Sequence, residues 1–171
     1  YYEYADAADY ADSLAYVKQG RHAIVLRTFS KIYGLAGLRI GYGLTTPEIA
    51  SYLNRLRPPF NANSVAQEAA IAALGDETHV TRSRSLNREQ MAVVRQGLEA
   101  LGLTPLPSQA NFLYFDAGRD GRELFQALLR EGVIVRHIEG SMVRVTIGLP
   151  EENQMFLAAL RNVLEREPIQ S

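Results

Sequence analysis

Apolar residues recur along this chain with two different periods. Unbroken β-branched and apolar runs predict strands at 23–28, 38–44, 111–115, 133–136 and 142–147. Spacings of three and four predict helices between them. A short helix within Ala5–Lys18 turns Leu14, Tyr16 and Val17 to one side. Thr46-Pro47-Glu48 opens the next, which runs to Leu56, with a hydroxyl cap, a first-position proline and an early acid. Ser64-Val65-Ala66-Gln67 reads as a capping box for an Ala-rich helix that Gly75 and Asp76 end after Leu74. A long helix covers Glu77–Leu101, with Met91, Val94, Leu98 and Leu101 as its apolar stripe. Gly121–Arg130 turns Leu124, Phe125, Leu128 and Leu129 inward. A last helix starts at Pro150 and buries Phe156, Leu157, Leu160 and Leu164. Pro58 and Pro59 forbid helix in the connector 57–63, and Tyr1-Tyr2-Glu3-Tyr4 reads as strand-like. Strands alternating with helices give an α/β fold class.

The chemistry concentrates after the first strand, in Thr28-Phe29-Ser30-Lys31-Ile32-Tyr33-Gly34-Leu35-Ala36-Gly37-Leu38-Arg39-Ile40-Gly41-Tyr42-Gly43. Lys31 is one of two lysines in 171 residues; the other is Lys18. Two hydroxyls precede Lys31, four glycines follow it, and Arg39 lies eight residues on. A neutral lysine amine adds to carbonyls. A planar, permanently charged arginine suits a phosphate or carboxylate, and a hydroxyl can donate to the same anion. The set points to a phosphorylated carbonyl cofactor, and pyridoxal phosphate fits it. A Gly-rich loop with a solvated lysine is the plainer alternative. A nucleotide-binding P-loop is excluded by order, because here the lysine precedes the glycines.

This stretch resembles the lysine motif of the fold-type I pyridoxal-phosphate aminotransferases, and within them that of the histidinol-phosphate aminotransferase family. The resemblance implies Lys31 as the Schiff-base lysine and proton shuttle, with Ser30 and Arg39 holding the cofactor phosphate. It further implies a fold built from the end of a large, mostly parallel-sheet domain, residues 1–76, and a bridging helix with a small α/β C-terminal domain, residues 77–171. Tyr1 falls at the tyrosine of the family's Asp-Glu-Ala-Tyr motif and is expected to meet the cofactor's phenolic oxygen. The motif's aspartate would lie before residue 1. The chain is therefore expected to be the C-terminal half of an enzyme about twice its length, and to be weakly active or inactive alone.

Two arginines stand on the apolar strands near the C-terminus, where a charge is costly unless paired. A salt-bridged or edge-strand arginine accounts for such a position without function. Val143-Arg144-Val145-Thr146-Ile147-Gly148 is similar to the family strand whose arginine clamps the substrate α-carboxylate, which assigns that role to Arg144. Arg136, in Val133-Ile134-Val135-Arg136, matches the arginine linked to the substrate phosphate. Only seven residues separate the two, where family members usually carry a longer loop. Ser108-Gln109-Ala110-Asn111-Phe112 resembles a segment of the family's small domain, and the connector 57–63 one near its dimer interface and active site. The implied reaction transfers an amino group from histidinol phosphate to 2-oxoglutarate, in a homodimer. Related enzymes acting on aromatic amino acids or threonine phosphate, and a non-catalytic module, stay open.

Composition changes this picture little. The chain is 47% hydrophobic and 22% charged, as ordinary globular proteins are. A net charge of −1 gives no electrostatic case for nucleic acid or an acidic membrane, and Arg82–Arg88 reads as a solvated helix face. Without cysteine there is no disulfide framework and no thiolate metal site. The apolar runs are too short to span a bilayer, and no signal peptide is visible, so a cytoplasmic protein is expected. His22 and His137 read as surface residues, and His79, near a helix start, is unremarkable.

Overall fold

The computed structural model describes residues 1–166. The expected second domain extends to 171, and residues 167–171 lie outside those described. The chain divides into two compact units, Tyr1–Ser83 and Arg84–Ser171.

The first unit holds α1 (Ser13–Lys18), β1 (Val25–Thr28), β2 (Gly41–Leu44), α2 (Pro47–Leu56), α3 (Ser64–Leu74) and the start of α4 (Glu77–Ala100). β1 and β2 pair antiparallel, with Val25 opposite Leu44 and Thr28 opposite Gly41. Its buried side chains are few: Val25, Phe29, Ile32, Ala66 and Ala70. Phe29 ties the lysine segment to β2, its ring centroid 5.1 Å from that of Tyr33 and 5.8 Å from that of Tyr42.

Several boundaries differ from the periodicity. Residues 2–4 form a 3-10 turn rather than a strand. The stretch 38–44 divides: 36–38 is a 3-10 turn, and only 41–44 is strand. The hydroxyl of Thr46 makes no capping bond, although Pro47 does occupy the first turn of α2. The cap of α3 is Asn63, whose Oδ1 accepts from the Ala66 N–H at 2.8 Å. Ser64 is thus the first helical residue, and Gln67 Nε2 reaches the Ala62 carbonyl instead. An asparagine caps as well as a serine, so both positions satisfy the same local pattern.

The second unit is built on a three-stranded antiparallel sheet of β3 (Phe112–Asp116), β4 (Arg136–Glu139) and β5 (Met142–Thr146), in the order β3-β5-β4. α5 (Gly121–Arg130) and α6 (Pro150–Arg166) complete it. Leu113, Phe115, Val143 and Val145 join Leu124, Leu128, Phe156, Leu160, Val94 and Leu98 in one buried cluster. The alternate strand positions, including Phe112, Tyr114, Arg136 and Arg144, belong to the other face. The expected strand at 133–136 begins only at Arg136, and Ile134 is 79% exposed. An apolar run is not enough there, because the ladder to β5 starts with the Arg136 to Arg144 pair. Leu129, expected inward, is 43% exposed, while Leu124 and Leu128 carry the apolar face of α5. The helical stripes of α4 and α6 lie as their spacings predict.

Two exposed carboxylates brace this unit. The backbone N–H of Gly118 and the Ser141 hydroxyl hold Asp116 below the usual carboxylate range. Asp120 caps α5, and the N–H groups of Glu123 and Arg122 with the His137 and Arg122 charges lower it likewise. A lowered folded-state value means that these bonds stabilise the unit above about pH 4, the ordinary aspartate value, and are lost as pH falls further through the folded value. Acid titration followed by circular dichroism should show Asp120→Asn unfolding with a shallower dependence on pH below about 4 than the unsubstituted chain.

Candidate active site

The segment after β1 cannot continue as strand, because its backbone bonds turn inward. The Phe29 N–H donates to the Ile40 carbonyl at 3.2 Å, and the Leu35 N–H returns to the Phe29 carbonyl at 2.9 Å. Gly34 takes a φ of +70°, open to glycine at little cost, and its N–H donates to the Lys31 carbonyl at 2.9 Å. Residues 29–40 thus make a closed loop between two paired strands. Gly41 lets those strands approach: a Cβ there would stand 2.7 Å from the Arg27 carbonyl oxygen.

The loop and the first residues of the chain line an open cavity of about 730 Å³. Tyr1, Thr28, Ser30 and Arg39 all line it, with Gly41 and Gly43 as its low wall. Thr28 Oγ1 accepts the Ser30 N–H at 3.0 Å, which fixes both hydroxyl-bearing residues in one turn. Arg39 is in the left-handed region, at φ 54°, a strained setting for a residue with a side chain. One arm of its guanidinium donates to the Ala36 carbonyl at 2.7 Å, which holds the fork in place. Lys31 does not line the cavity. Its Nζ sits 5.0 Å from the centroid of the Tyr1 ring, which does.

Two hydroxyls, a guanidinium and low-bulk backbone suit a phosphate, and an amine beside a phenol suits an aldehyde with a neighbouring ring oxygen. The residues present therefore fit pyridoxal phosphate. Sequence reasoning named Ser30 as the phosphate hydroxyl and passed over Thr28, although both flank Phe29 and both line the cavity. It also passed over Arg27, a further lining residue, whose guanidinium carbon lies 3.8 Å from the Tyr2 ring centroid. His79, unremarkable in the sequence, bonds the carbonyl of Ile32 at 2.8 Å. No local pattern marks such a bond, which joins residues 47 positions apart. His137 packs on α5: a Cβ at Gly121 would stand 2.8 Å from its ring.

In the second unit the two expected anion-binding arginines are direct cross-strand partners, Arg136 opposite Arg144, with Tyr114 opposite Arg144 on the other side. A turn at Gly140-Ser141 makes this register possible despite the short connection. The Arg144 guanidinium lies 4.8 Å from the Phe112 ring centroid, and its Nε is buried without a hydrogen-bond partner. Like charges placed opposite on a sheet repel, and a buried N–H left unpaired is costly. An anion on this face would answer both. Among the described residues, no cluster of His, Asp and Glu could hold a metal ion, and no helix is long and apolar enough to cross a membrane.

Comparison with known proteins agrees with this chemistry. The histidinol-phosphate aminotransferase of Anaeromyxobacter sp. is 53% identical over 96% of this chain. That of Moorella thermoacetica is likewise 53% identical over 96% of it. The chain spans about half the length of these curated relatives, 46% and 44% respectively. The crystal structure of histidinol-phosphate aminotransferase from Sinorhizobium meliloti in complex with pyridoxal 5′-phosphate superposes with a TM-score of 0.83 at 29% identity. It covers 96% of this chain and 46% of its own. Residues 1–160 match the aminotransferase class I and II family, to which the chain therefore belongs.

Proposed function

We propose that this chain carries the lysine and phosphate-binding part of a pyridoxal-phosphate-dependent aminotransferase, with histidinol phosphate as amino donor and 2-oxoglutarate as acceptor. The observation that carries the reading is the single cavity lined by Tyr1, Thr28, Ser30 and Arg39, with the Lys31 amine against the Tyr1 ring. Ser30, Thr28 and Arg39 bind the cofactor phosphate, and Tyr1 donates to its ring oxygen. When bound, pyridoxal phosphate supplies an aldehyde that takes up the donor's amine and a ring that takes up the electron pair left at the α-carbon. Lys31 removes the proton from that α-carbon and returns a proton on the aldehyde side, acting as base and then as acid. Arg144 receives the α-carboxylate of the 2-oxo acid through its planar fork, and Arg136 the distal anion. The unpaired Nε of Arg144 and the opposed arginines support that assignment.

The same reading makes the enzyme a cytoplasmic homodimer with domains meeting near residue 76. A second donor also suits two opposed arginines: threonine phosphate carries both a carboxylate and a phosphate. One solved neighbour, at 25% identity and a TM-score of 0.79, is an L-threonine-O-3-phosphate decarboxylase from Porphyromonas gingivalis. A substrate panel on the full-length protein separates the two. Glutamate formation from 2-oxoglutarate, supported by histidinol phosphate and by no other amine at comparable kcat/KM, is the expected result. Carbon dioxide release from threonine phosphate without glutamate formation would overturn it.

A further inference from the structure

The backbone around Lys31 is held from two directions. On one side the Lys31 carbonyl accepts the Gly34 N–H at 2.9 Å, inside the loop. On the other, the carbonyl of Ile32, the next residue, meets His79 Nε2 at 2.8 Å. A carbonyl only accepts, so Nε2 carries the proton in this assignment. The ring projects from the first turn of α4, and that turn is itself fixed, since Asp76 Oδ1 accepts the His79 N–H at 2.9 Å. Ser83 Oγ lies 3.5 Å from the same ring nitrogen, at the limit of a hydrogen bond. The Ile32 side chain is 3% exposed, so the bond and the packing anchor one residue together. A second side-chain tie to this loop, from Asn63 Nδ2 to the Leu38 carbonyl, is 3.5 Å long. The His79 bond is the shorter tie and the one adjoining Lys31.

We propose that His79 is a positioning residue for Lys31. By holding the Ile32–Tyr33 peptide, next to Lys31, against the start of α4, it keeps the amine beside Tyr1 and sets how fast an aldehyde in the cavity captures that amine. The inference rests on the cofactor reading above, and its test is arranged so that the two can fail separately. Amide hydrogen exchange of peptides covering 29–38 is measured on the chain without cofactor, for the unsubstituted protein, His79→Ala and His79→Gln. Pyridoxal phosphate is then added, and covalent attachment at Lys31 is trapped with borohydride over time. One hydrogen bond of this kind corresponds to about a fivefold to tenfold change. His79→Ala should speed exchange in 29–38 and slow attachment by about that factor, while exchange in β3 stays unchanged. Glutamine can place an amide N–H near the position of Nε2, so His79→Gln should restore most of both. Unchanged exchange in 29–38, unchanged attachment, or a glutamine variant no better than alanine would overturn the inference. A chain that exchanges as expected but takes no cofactor at Lys31 would retain the tie to α4 and contradict the cofactor reading instead.

Discussion

Lys31→Ala is expected to lower transamination by the full-length protein at least about a hundredfold to ten-thousandfold, the range carried by one positioned general acid–base. The loss should fall on kcat, because in the proposed site the amine moves a proton between two carbons. Tyr1 and Arg39 face the cavity as hydrogen-bond donors. In the proposed site the phosphate is held by Ser30, Thr28 and Arg39 without the amine, so the variant should still bind pyridoxal phosphate, reversibly and without a reducible link. Stopped-flow absorbance with the amino donor reads both properties at once. A variant that keeps its rate would remove Lys31 from the chemistry.

Arg144→Lys is expected to raise the KM for the 2-oxo acid by about tenfold to a hundredfold, with a smaller change in kcat. Lysine keeps the charge but loses the planar pair of donors that grips a carboxylate. A hydrogen bond to a charged group is worth about 1.5–3 kcal/mol, which sets that factor. The buried, unpartnered Nε of Arg144 makes the substitution informative in a second way. Removing an unpaired buried N–H while keeping the charge should leave thermal stability unchanged or slightly raised without substrate. A structural arginine would show the reverse: lost stability and an unchanged KM.

The helices and the core were legible because their signal is periodic. Met91, Val94, Leu98 and Leu101 define the buried side of α4, and Phe156 and Leu160 that of α6, by spacing alone. The strand limits were less so. Val133-Ile134-Val135 has every local mark of a strand, yet pairing starts at Arg136, since register is decided by the partner strand and its turn. In the site, Ser30, Lys31 and Arg39 are written into fifteen contiguous positions, so order along the chain reveals them. Thr28 was visible as a hydroxyl, but the cavity wall it shares with Ser30 depends on a turn closed by its own Oγ1. The bond from His79 to the Ile32 carbonyl was not legible, because a backbone carbonyl leaves no mark in the sequence. The facing of Arg136 and Arg144 is intermediate: both residues were named, while their direct opposition needed the hairpin.

The chain has two lysines, and the Nζ of Lys31 lies 5.0 Å from the centroid of the Tyr1 ring that lines the cavity. Incubation with equimolar pyridoxal phosphate, reduction with borohydride and peptide mass mapping therefore give a direct readout. Nearly all of the phosphopyridoxyl label on Lys31, with Lys18 unmodified and Lys18→Arg without effect, is the result the site geometry predicts. Label divided evenly between Lys18 and Lys31, or absent from Lys31, would contradict it.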